Sequence, residues 1–208
     1  AQAAVSPDGR SLAYQRWADA GVQLALSPIA GGKPTVVDAA DTARHDQPAW
    51  SPDGQWIAFL VRGELRKIRA GGRAPSVLIR NDHGVNGAAD VVRWSTANEL
   101  LYTCEQGLCV TDPEGKAMRA VMPKKPLAAT WSADGAFVYA LKEGTGRRMQ
   151  LVTVNGKTGA ETMLADLGPE PLTPEPSGYM DPIRSLVLSP DGKRLAFGYL
   201  QPDSHIWM

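Results

Sequence analysis

Cysteine is the residue type whose spacing in this chain most directly predicts chemistry. The 208 residues include two cysteines, Cys104 and Cys109, separated by Glu105-Gln106-Gly107-Leu108. We place this segment at the tip of a β-hairpin, where residues that flank the loop come within the Cα separation of about 4.4 to 6.8 Å that a disulfide needs. The spacing therefore predicts a Cys104–Cys109 disulfide, which would point to an oxidising compartment. Two free thiols that face each other are the alternative, and metal binding would need more ligands than this pair.

Serine is the next candidate for chemistry, because Ser-Pro-Asp-Gly occurs three times, at Ser6, Ser51 and Ser189. A nucleophilic serine needs a strained turn such as Gly-x-Ser-x-Gly, followed by an acid and a histidine, and the sequence contains no such motif. It also contains no Gly-x-Gly-x-x-Gly or Walker-type loop for a nucleotide. We therefore predict that these serines are turn residues, and we predict no catalytic residue, no cofactor and no metal site.

The charge balance narrows the class of partner. The chain has 22 Lys and Arg residues against 22 Asp and Glu residues, so it lacks the clustered positive charge that a nucleic acid would require. No apolar run approaches the roughly 20 residues needed to cross a bilayer. We therefore expect a protein or peptide partner, no nucleic acid and no membrane insertion by this segment.

An internal repeat provides the elements that position these residues. Residues 5–14 return as residues 50–59 and 188–197, and degenerate copies occupy residues 94–102 and 131–139. In each copy an apolar residue ends one strand, a turn follows, and an alternating run begins the next strand; in Ser-Pro-Asp-Gly the Pro, Asp and Gly each favour the turn. The anchoring serines are Ser6, Ser51, Ser95, Ser132 and Ser189.

The strand after each turn carries a regular apolar pattern. The sixth residue after each anchoring serine is aliphatic, so we predict that it faces a core: Leu12, Ile57, Leu101, Val138 and Leu195. An aromatic residue follows two positions later in three repeats, but one position later in the repeats containing Tyr102 and Tyr139. Because strand faces alternate, the aromatic side chain is predicted to change face in those two repeats.

A second hairpin follows each of the first four repeats, so each repeat consists of about four short strands. Four antiparallel strands in roughly 40 to 45 residues are typical of a β-propeller blade, which buries its two faces against neighbouring blades. The predicted fold is all-β: a β-propeller with five blade signatures, the last of them incomplete. We expect a single domain over residues 1–208 that is part of a longer propeller, with blades at 1–47, 48–90, 91–128, 129–185 and 186–208.

These repeats resemble those of the TolB-like, WD-repeat-like β-propeller family, whose pattern is Trp-Ser-Pro-Asp-Gly-x-x-Ile/Leu-Ala-Phe/Tyr. Residues 50–59 match that pattern at every position, and residues 5–14 and 188–197 differ only at the Trp. The resemblance implies one of three roles. These are a protein-binding platform in the bacterial cell envelope, a sensor domain of a membrane-anchored regulator, or the gating domain of a prolyl-oligopeptidase-type serine peptidase.

The connections between the last strand of one repeat and the first strand of the next cluster on one face of such a fold, so they are candidates for partner binding. Solvated loop polarity is the alternative for their charged residues. The candidate rim residues are Arg44, His45, Asp46, Asp82, His83, Arg93, Asp181 and Arg184.

We therefore expect a non-catalytic scaffold or sensor module that binds a protein or peptide on the periplasmic or extracellular side of a bacterial envelope. The alternative is the gating propeller of a serine peptidase whose hydrolase domain lies outside this chain. A lyase-like propeller with histidine metal ligands would need several convergent histidines, and the three here, His45, His83 and His205, lie in different repeats.

Overall fold

The fold is described from a computed structural model, for residues 3–18, 21–38, 45–61, 63–72, 75–81, 91–146, 148–169, 183–189 and 191–199. Over these residues the secondary structure consists of β-strands and turns. The first two repeats form β1 (Ala3–Val5), β2 (Ser11–Ala18), β3 (Gly21–Pro28), β4 (Thr35–Asp38), β5 (His45–Trp50), β6 (Trp56–Val61), β7 (Glu64–Arg69) and β8 (Val77–Asn81). The others form β9 (Val92–Trp94), β10 (Leu100–Cys104), β11 (Gly107–Thr111), β12 (Arg119–Met122), β13 (Ala128–Trp131), β14 (Phe137–Glu143), β15 (Arg148–Asn155), β16 (Glu161–Pro169), β17 (Ile183–Leu188) and β18 (Leu195–Tyr199).

The strands form antiparallel sheets in chain order, as the repeat predicted. Four sheets have four strands each, β1–β4, β5–β8, β9–β12 and β13–β16, and a fifth contains β17 and β18 within the described residues. The first strands of successive sheets are neighbours, so β1, β5, β9, β13 and β17 lie side by side along the inner edge. Each four-stranded sheet therefore presents its first strand on the inside and its fourth strand on the outside.

Successive sheets bury their facing sides against each other. Ala13 and Leu24 of the first sheet pack against Ile57 and Phe59 of the second, and equivalent cores lie between the later sheets. The outer face of the first sheet has no such neighbour among the described residues, so Val5 is 55% exposed. Leu12 is the cross-strand partner of Val5 and shares that face. That Leu12 faces a core therefore stays a prediction, whereas Ile57, Leu101 and Val138 at the equivalent position are buried in cores between sheets.

The Ser-Asp turn is stabilised by the same hydrogen bonds in the first, second, fourth and fifth sheets. In the second sheet, Ser51 Oγ donates to Asp53 Oδ1 at 2.5 Å and accepts the N–H of Trp56 at 2.9 Å. Asp53 Oδ1 also accepts the N–H of Gln55 at 3.0 Å. The equivalent pairs are Ser6 with Asp8, Ser132 with Asp134, and Ser189 with Asp191.

The turn of the third sheet is one residue shorter, and this corrects the prediction for Tyr102. The N–H of Ser95 bonds the carbonyl of Glu99, four residues on, whereas the equivalent bond elsewhere spans five residues, as from Ser51 to Trp56. The shortening offsets the earlier position of the aromatic residue, so Tyr102 faces the preceding sheet, as Phe59 does. Tyr139 follows a full-length turn and does change face, toward the fifth sheet.

In the second, third and fourth sheets, a glycine in the turn between the third and fourth strands sets how closely that turn approaches the previous sheet. A Cβ atom on Gly115, whose φ is +73°, would lie 2.2 Å from the carbonyl oxygen of Ile79, the third residue of β8. Gly72 makes the same approach to Val37 in β4, and Gly159 to Val121 in β12. Each contacted residue is the third of its outer strand and is buried.

Basic side chains reinforce this approach. Arg80 Nη1 donates to the carbonyl of Gly115 at 3.4 Å, and Arg119 Nε donates to the carbonyl of Gly156 at 2.7 Å. Arg119 also pairs with Glu99 at 2.8 Å. An outer strand therefore holds the next sheet's turn by both apolar packing and charged hydrogen bonds.

We expect Gly115→Ala to destabilise the fold much more than Gly146→Ala. Both glycines have φ near +70°, where alanine is strained, but a Cβ on Gly146 has nothing within 4 Å. The two variants share the strain, and only Gly115→Ala adds a backbone clash, which costs about 1–3 kcal/mol further. Urea unfolding of both variants measures this difference, and equal losses would show that the turn is not held against β8.

The Ser-Asp turns predict that the stability of the fold decreases at acid pH for a specific reason. The hydrogen bond from Ser51 lowers the pKa of Asp53 below its ordinary value of 3.8, with a further contribution from the N–H of Gln55. A lowered folded-state pKa adds stability that is present above the unfolded pKa and is lost as pH falls through the folded pKa. The difference in unfolding free energy between wild type and Asp53→Asn should therefore be largest at pH 6 and decrease steadily below pH 3.8.

The control for this titration is Glu105→Gln, which changes an exposed carboxylate in a hairpin turn. It measures how far the removal of an exposed carboxylate alone changes the unfolding free energy over the same pH range. If the difference in unfolding free energy between wild type and Asp53→Asn stays constant from pH 6 down to the pH of acid unfolding, the Ser51–Asp53 hydrogen bond does not stabilise the ionised carboxylate.

Candidate functional site

A groove runs across the inner edge of the third, fourth and fifth sheets. It has a volume of about 360 Å³ and lies where β9, β13 and β17 lead into their first turns. Three equivalent short segments line it: Arg93, Trp94, Ser95, Thr96; Thr130, Trp131, Ser132, Ala133; and Val187, Leu188, Ser189. The groove is therefore lined by the same part of three successive repeats, with different side chains at equivalent positions.

Arg93 provides the positive charge of the groove. It lies in the middle of β9 and is half-buried, and burial lowers the pKa of its guanidinium to about 10. The group is therefore still charged at neutral pH, in surroundings that strengthen its interaction with an anion. One of its nitrogens, Nη1, donates to the carbonyl of Val92 at 2.8 Å, which holds the guanidinium along the inner edge.

Most hydroxyl groups of the groove are engaged by the fold. The serine hydroxyls stabilise the turns, and Thr96 Oγ1 donates to the carbonyl of Ala133 at 2.9 Å, which ties the third sheet to the fourth. Thr130 lies on β13 next to these groups, is half-buried, and makes none of these structural hydrogen bonds. Its hydroxyl can therefore bond a ligand.

The remaining surface of the groove is mostly apolar. Val187 is 52% exposed, and Trp94 and Leu188 are partly exposed. Trp131 is buried, and its Nε1 donates to the carbonyl of Arg93 at 3.4 Å. Trp131 is thus part of the wall that supports Arg93. Among the described residues, a ligand would meet the cation of Arg93 and the hydroxyl of Thr130 within an apolar surface.

Arg93 is the one predicted rim residue whose side chain lies within the described part of the chain. His45 and Asp46 were predicted in a connecting loop, but their backbone begins β5 and pairs with Val61 and Leu60, because that strand continues past an irregularity before Ala49. Arg184 lies in β17. The side chains of these three lie outside the described residues, as do Arg44, Asp82, His83 and Asp181.

The groove lies at the end of the sheets that holds the first turns, whereas the rim was predicted at the other end. In an antiparallel sheet of four strands in chain order, the first and third turns share one end, whereas the connection to the next sheet leaves from the other. The groove adjoins the first turns, and the rim was predicted at the connections. Sequence reasoning therefore identified Arg93 but missed this end, although the repeated first-turn segments were the signal that could have located it.

Cys104 and Cys109 form a disulfide, as predicted, with a Cα separation of 5.9 Å. The geometry differs from the expected four-residue loop, because Cys104 pairs with Gly107 and Cys109 pairs with Tyr102 across the hairpin of β10 and β11. The turn contains only Glu105 and Gln106, so the disulfide runs diagonally across the ladder. Both cysteines are buried in the core between the second and third sheets.

The described residues were compared with the requirements of a metal site and of a membrane-spanning helix. They contain no group of three or more His, Cys, Asp or Glu side chains that could hold a metal ion. None of their segments is a helix that could span a membrane.

Replacing both cysteines by alanine should lower the unfolding free energy by about 2 kcal/mol or more, since a short-loop disulfide restricts the unfolded chain and these sulfurs fill the core. Alkylation of the denatured protein should label neither cysteine before reduction and both after it, as measured by intact mass. Free alkylation of protein secreted to an oxidising compartment would contradict the disulfide.

No family model matches the sequence, and no curated protein matches it. Solved structures do match the fold. TolB from Acinetobacter baumannii aligns with a TM-score of 0.73 at 19% identity, over 94% of this chain and 47% of that one. This chain thus spans about half the length of that TolB. A putative TolB from Agrobacterium tumefaciens aligns with a TM-score of 0.72 at 16% identity, over 97% of this chain and 74% of that one.

Other proteins share the architecture. A chain of a nidogen/laminin complex aligns with a TM-score of 0.72 at 13% identity, over 95% of this chain and 71% of that one. An oligogalacturonate lyase in complex with manganese aligns with a TM-score of 0.63 at 13% identity, over 91% of this chain and 56% of that one. Identities this low show the fold alone, and one fold carries both binding proteins and enzymes. The described part of this chain therefore has a TolB-like β-propeller fold.

Proposed function

We propose that this propeller is a non-catalytic module that binds a protein or peptide, as a scaffold or sensor in a bacterial cell envelope. The observation that carries the proposal is the inner groove, in which the charged Arg93 and the hydroxyl of Thr130 stand within an apolar surface. Binding sites for chain segments commonly combine an apolar surface with a few placed polar groups.

The rigidity of the groove supports a binding role. Each of its three segments ends in a turn whose Ser hydroxyl is hydrogen-bonded, and Thr96 links two of the turns. A wall held in this way loses little conformational entropy when a ligand binds. The nidogen/laminin neighbour, which aligns with this fold, was solved as a complex, and this supports a protein-binding role.

The disulfide supports the location. Disulfides persist in oxidising compartments and are rare in the cytosol. Cys104 and Cys109 are buried between two sheets rather than exposed at a reactive surface, so their bond serves the fold. A module that depends on it would work on the periplasmic or extracellular side.

Site-specific photo-crosslinking in a bacterial envelope tests the proposal. A benzoylphenylalanine at Val187 places the probe in the groove, and the same residue at Leu164 gives a matched control, because these side chains are 52% and 50% exposed. We expect discrete crosslinked proteins from position 187 that are absent from position 164. Binding should then be reconstituted with the purified partner, and its affinity should fall at least tenfold with Arg93→Gln.

Two results would contradict the proposed function. The first is the same set of crosslinked proteins from positions 187 and 164, which would indicate nonspecific contact. The second is the absence of crosslinks from position 187 in a variant that unfolds at the wild-type temperature.

A further inference from the structure

The turn between β15 and β16 contains a chemically reactive pair of residues. Asn155 is followed directly by Gly156, and Asn-Gly is favoured in tight turns between antiparallel strands. Because glycine has no Cβ to obstruct the approach, its backbone nitrogen can attack Cγ of the preceding asparagine. The nitrogen loses its proton and the N–Cγ bond forms, while the Cγ–Nδ2 bond breaks and the amide nitrogen takes up a proton and leaves as ammonia. Water then opens the succinimide to aspartate or isoaspartate.

In the folded protein both reacting groups of this pair are held by hydrogen bonds. The N–H of Gly156 donates to the carbonyl of Ala136 at 3.0 Å, and Gly156 is buried. Asn155 Oδ1 accepts the N–H groups of Lys157 at 2.9 Å and Thr158 at 3.0 Å, which fixes its carboxamide against the turn. The reaction needs a deprotonated nitrogen and a free carboxamide, so the folded turn opposes it at both groups.

Neighbouring elements hold this turn in place. A Cβ atom on Gly156 would lie 2.9 Å from Cζ3 of Trp131, so the indole ring lies directly against this glycine. From the third sheet, Arg119 Nε donates to the carbonyl of Gly156 at 2.7 Å. The carbonyl oxygen of Val121 in β12 would lie 3.2 Å from a Cβ atom on Gly159, at the other end of the turn. Release of the Gly156 nitrogen therefore requires the turn to move away from β12 and from Trp131.

We propose that Asn155 is a deamidation site that is kept unreactive by the contact between the third and fourth sheets and reacts when that contact opens. An aspartate product keeps the hydrogen bonds of the turn, since a carboxylate oxygen accepts the same N–H groups. An isoaspartate product adds a carbon atom to the backbone and displaces Gly156 from Trp131. A transient separation of the two sheets is thereby recorded as a permanent covalent change.

Deamidation and amide hydrogen exchange at the same turn test the proposal in the wild-type protein. The folded protein and a synthetic peptide of residues 149–160 are incubated at neutral pH, and deamidation of Asn155 is followed by mass spectrometry of its tryptic peptide. Hydrogen exchange of the Gly156 N–H gives the protection factor of that amide. Both processes need this N–H to be released to solvent, and deamidation also needs the carboxamide to be free.

We expect the fold to slow deamidation of Asn155 by a factor no smaller than the protection factor of the Gly156 amide. A smaller factor would show that the reaction proceeds without opening of the turn, and it would overturn the proposal. Equal rates in the folded protein and in the peptide would overturn it as well.

Two matched arginine variants tie the protection to the contact between the sheets. Arg119→Gln removes the donor to the Gly156 carbonyl and should speed deamidation of Asn155 by about tenfold, the effect expected for the loss of one charge-assisted hydrogen bond. Arg148→Gln removes an ion pair with Asp166 at the other end of β15 and β16, so it should leave the rate unchanged.

The second Asn-Gly pair of the sequence, Asn86–Gly87, lies outside the described residues and serves as an internal reference for each variant. Faster deamidation of Asn155 relative to Asn86 in Arg119→Gln, but not in Arg148→Gln, would support the proposal. Equal relative rates in wild type and a folded Arg119→Gln variant would overturn the role of the third sheet. If Arg119→Gln does not fold, the comparison of deamidation with hydrogen exchange in the wild type decides.

Discussion

The structure depends on one constraint: a four-stranded sheet with two apolar faces must be covered on both sides by other sheets. The apolar residues of each described sheet fall into cores shared with its neighbours, and residues such as Ile57, Leu65 and Val138 have no exposed surface. Where a neighbour is absent from the described residues, Val5 and Val187 are half exposed. The burial of apolar surface between sheets is thus the main source of stability.

Close packing of sheets requires that their turns do not hold them apart. The glycines of the turns between the third and fourth strands meet this requirement, because a side chain at Gly115 would collide with the outer strand of the previous sheet and one at Gly159 would crowd it. Arg80 and Arg119 then bond the carbonyls of those same turns. Apolar contact at the centre and hydrogen bonds at the outer edge fix the distance and angle between successive sheets.

The inner groove is a consequence of this arrangement. Because each first strand is held by its own sheet on one side, its other edge faces inward, and three such strands form a continuous wall. The fold uses the serine hydroxyls for its turns and places Arg93, Thr130 and Val187 at positions that the turn chemistry does not occupy. The residues that carry the proposed function are therefore those that differ between repeats.

Local chemistry made much of the fold predictable from the sequence alone. Ser-Pro-Asp-Gly specifies a turn through the hydroxyl and carboxylate of its own residues, alternation specifies strands, and the spacing of the two cysteines specified their disulfide. These features depend on residues a few positions apart, so no distant contact was needed to infer them. The repeat then implied that the sheets pack on one another.

Tertiary structure decided the features that depend on loop length and on neighbouring sheets. One residue fewer in the turn of the third sheet returns Tyr102 to the face that Phe59 occupies, which counting along the strand could not reveal. The contact of Gly115 with Ile79 and the groove lined by Arg93, Thr130 and Val187 both involve residues of different sheets. The sequence determined the blade and its turns, whereas the approach of the sheets determined the groove, because only packing brings the three first strands together.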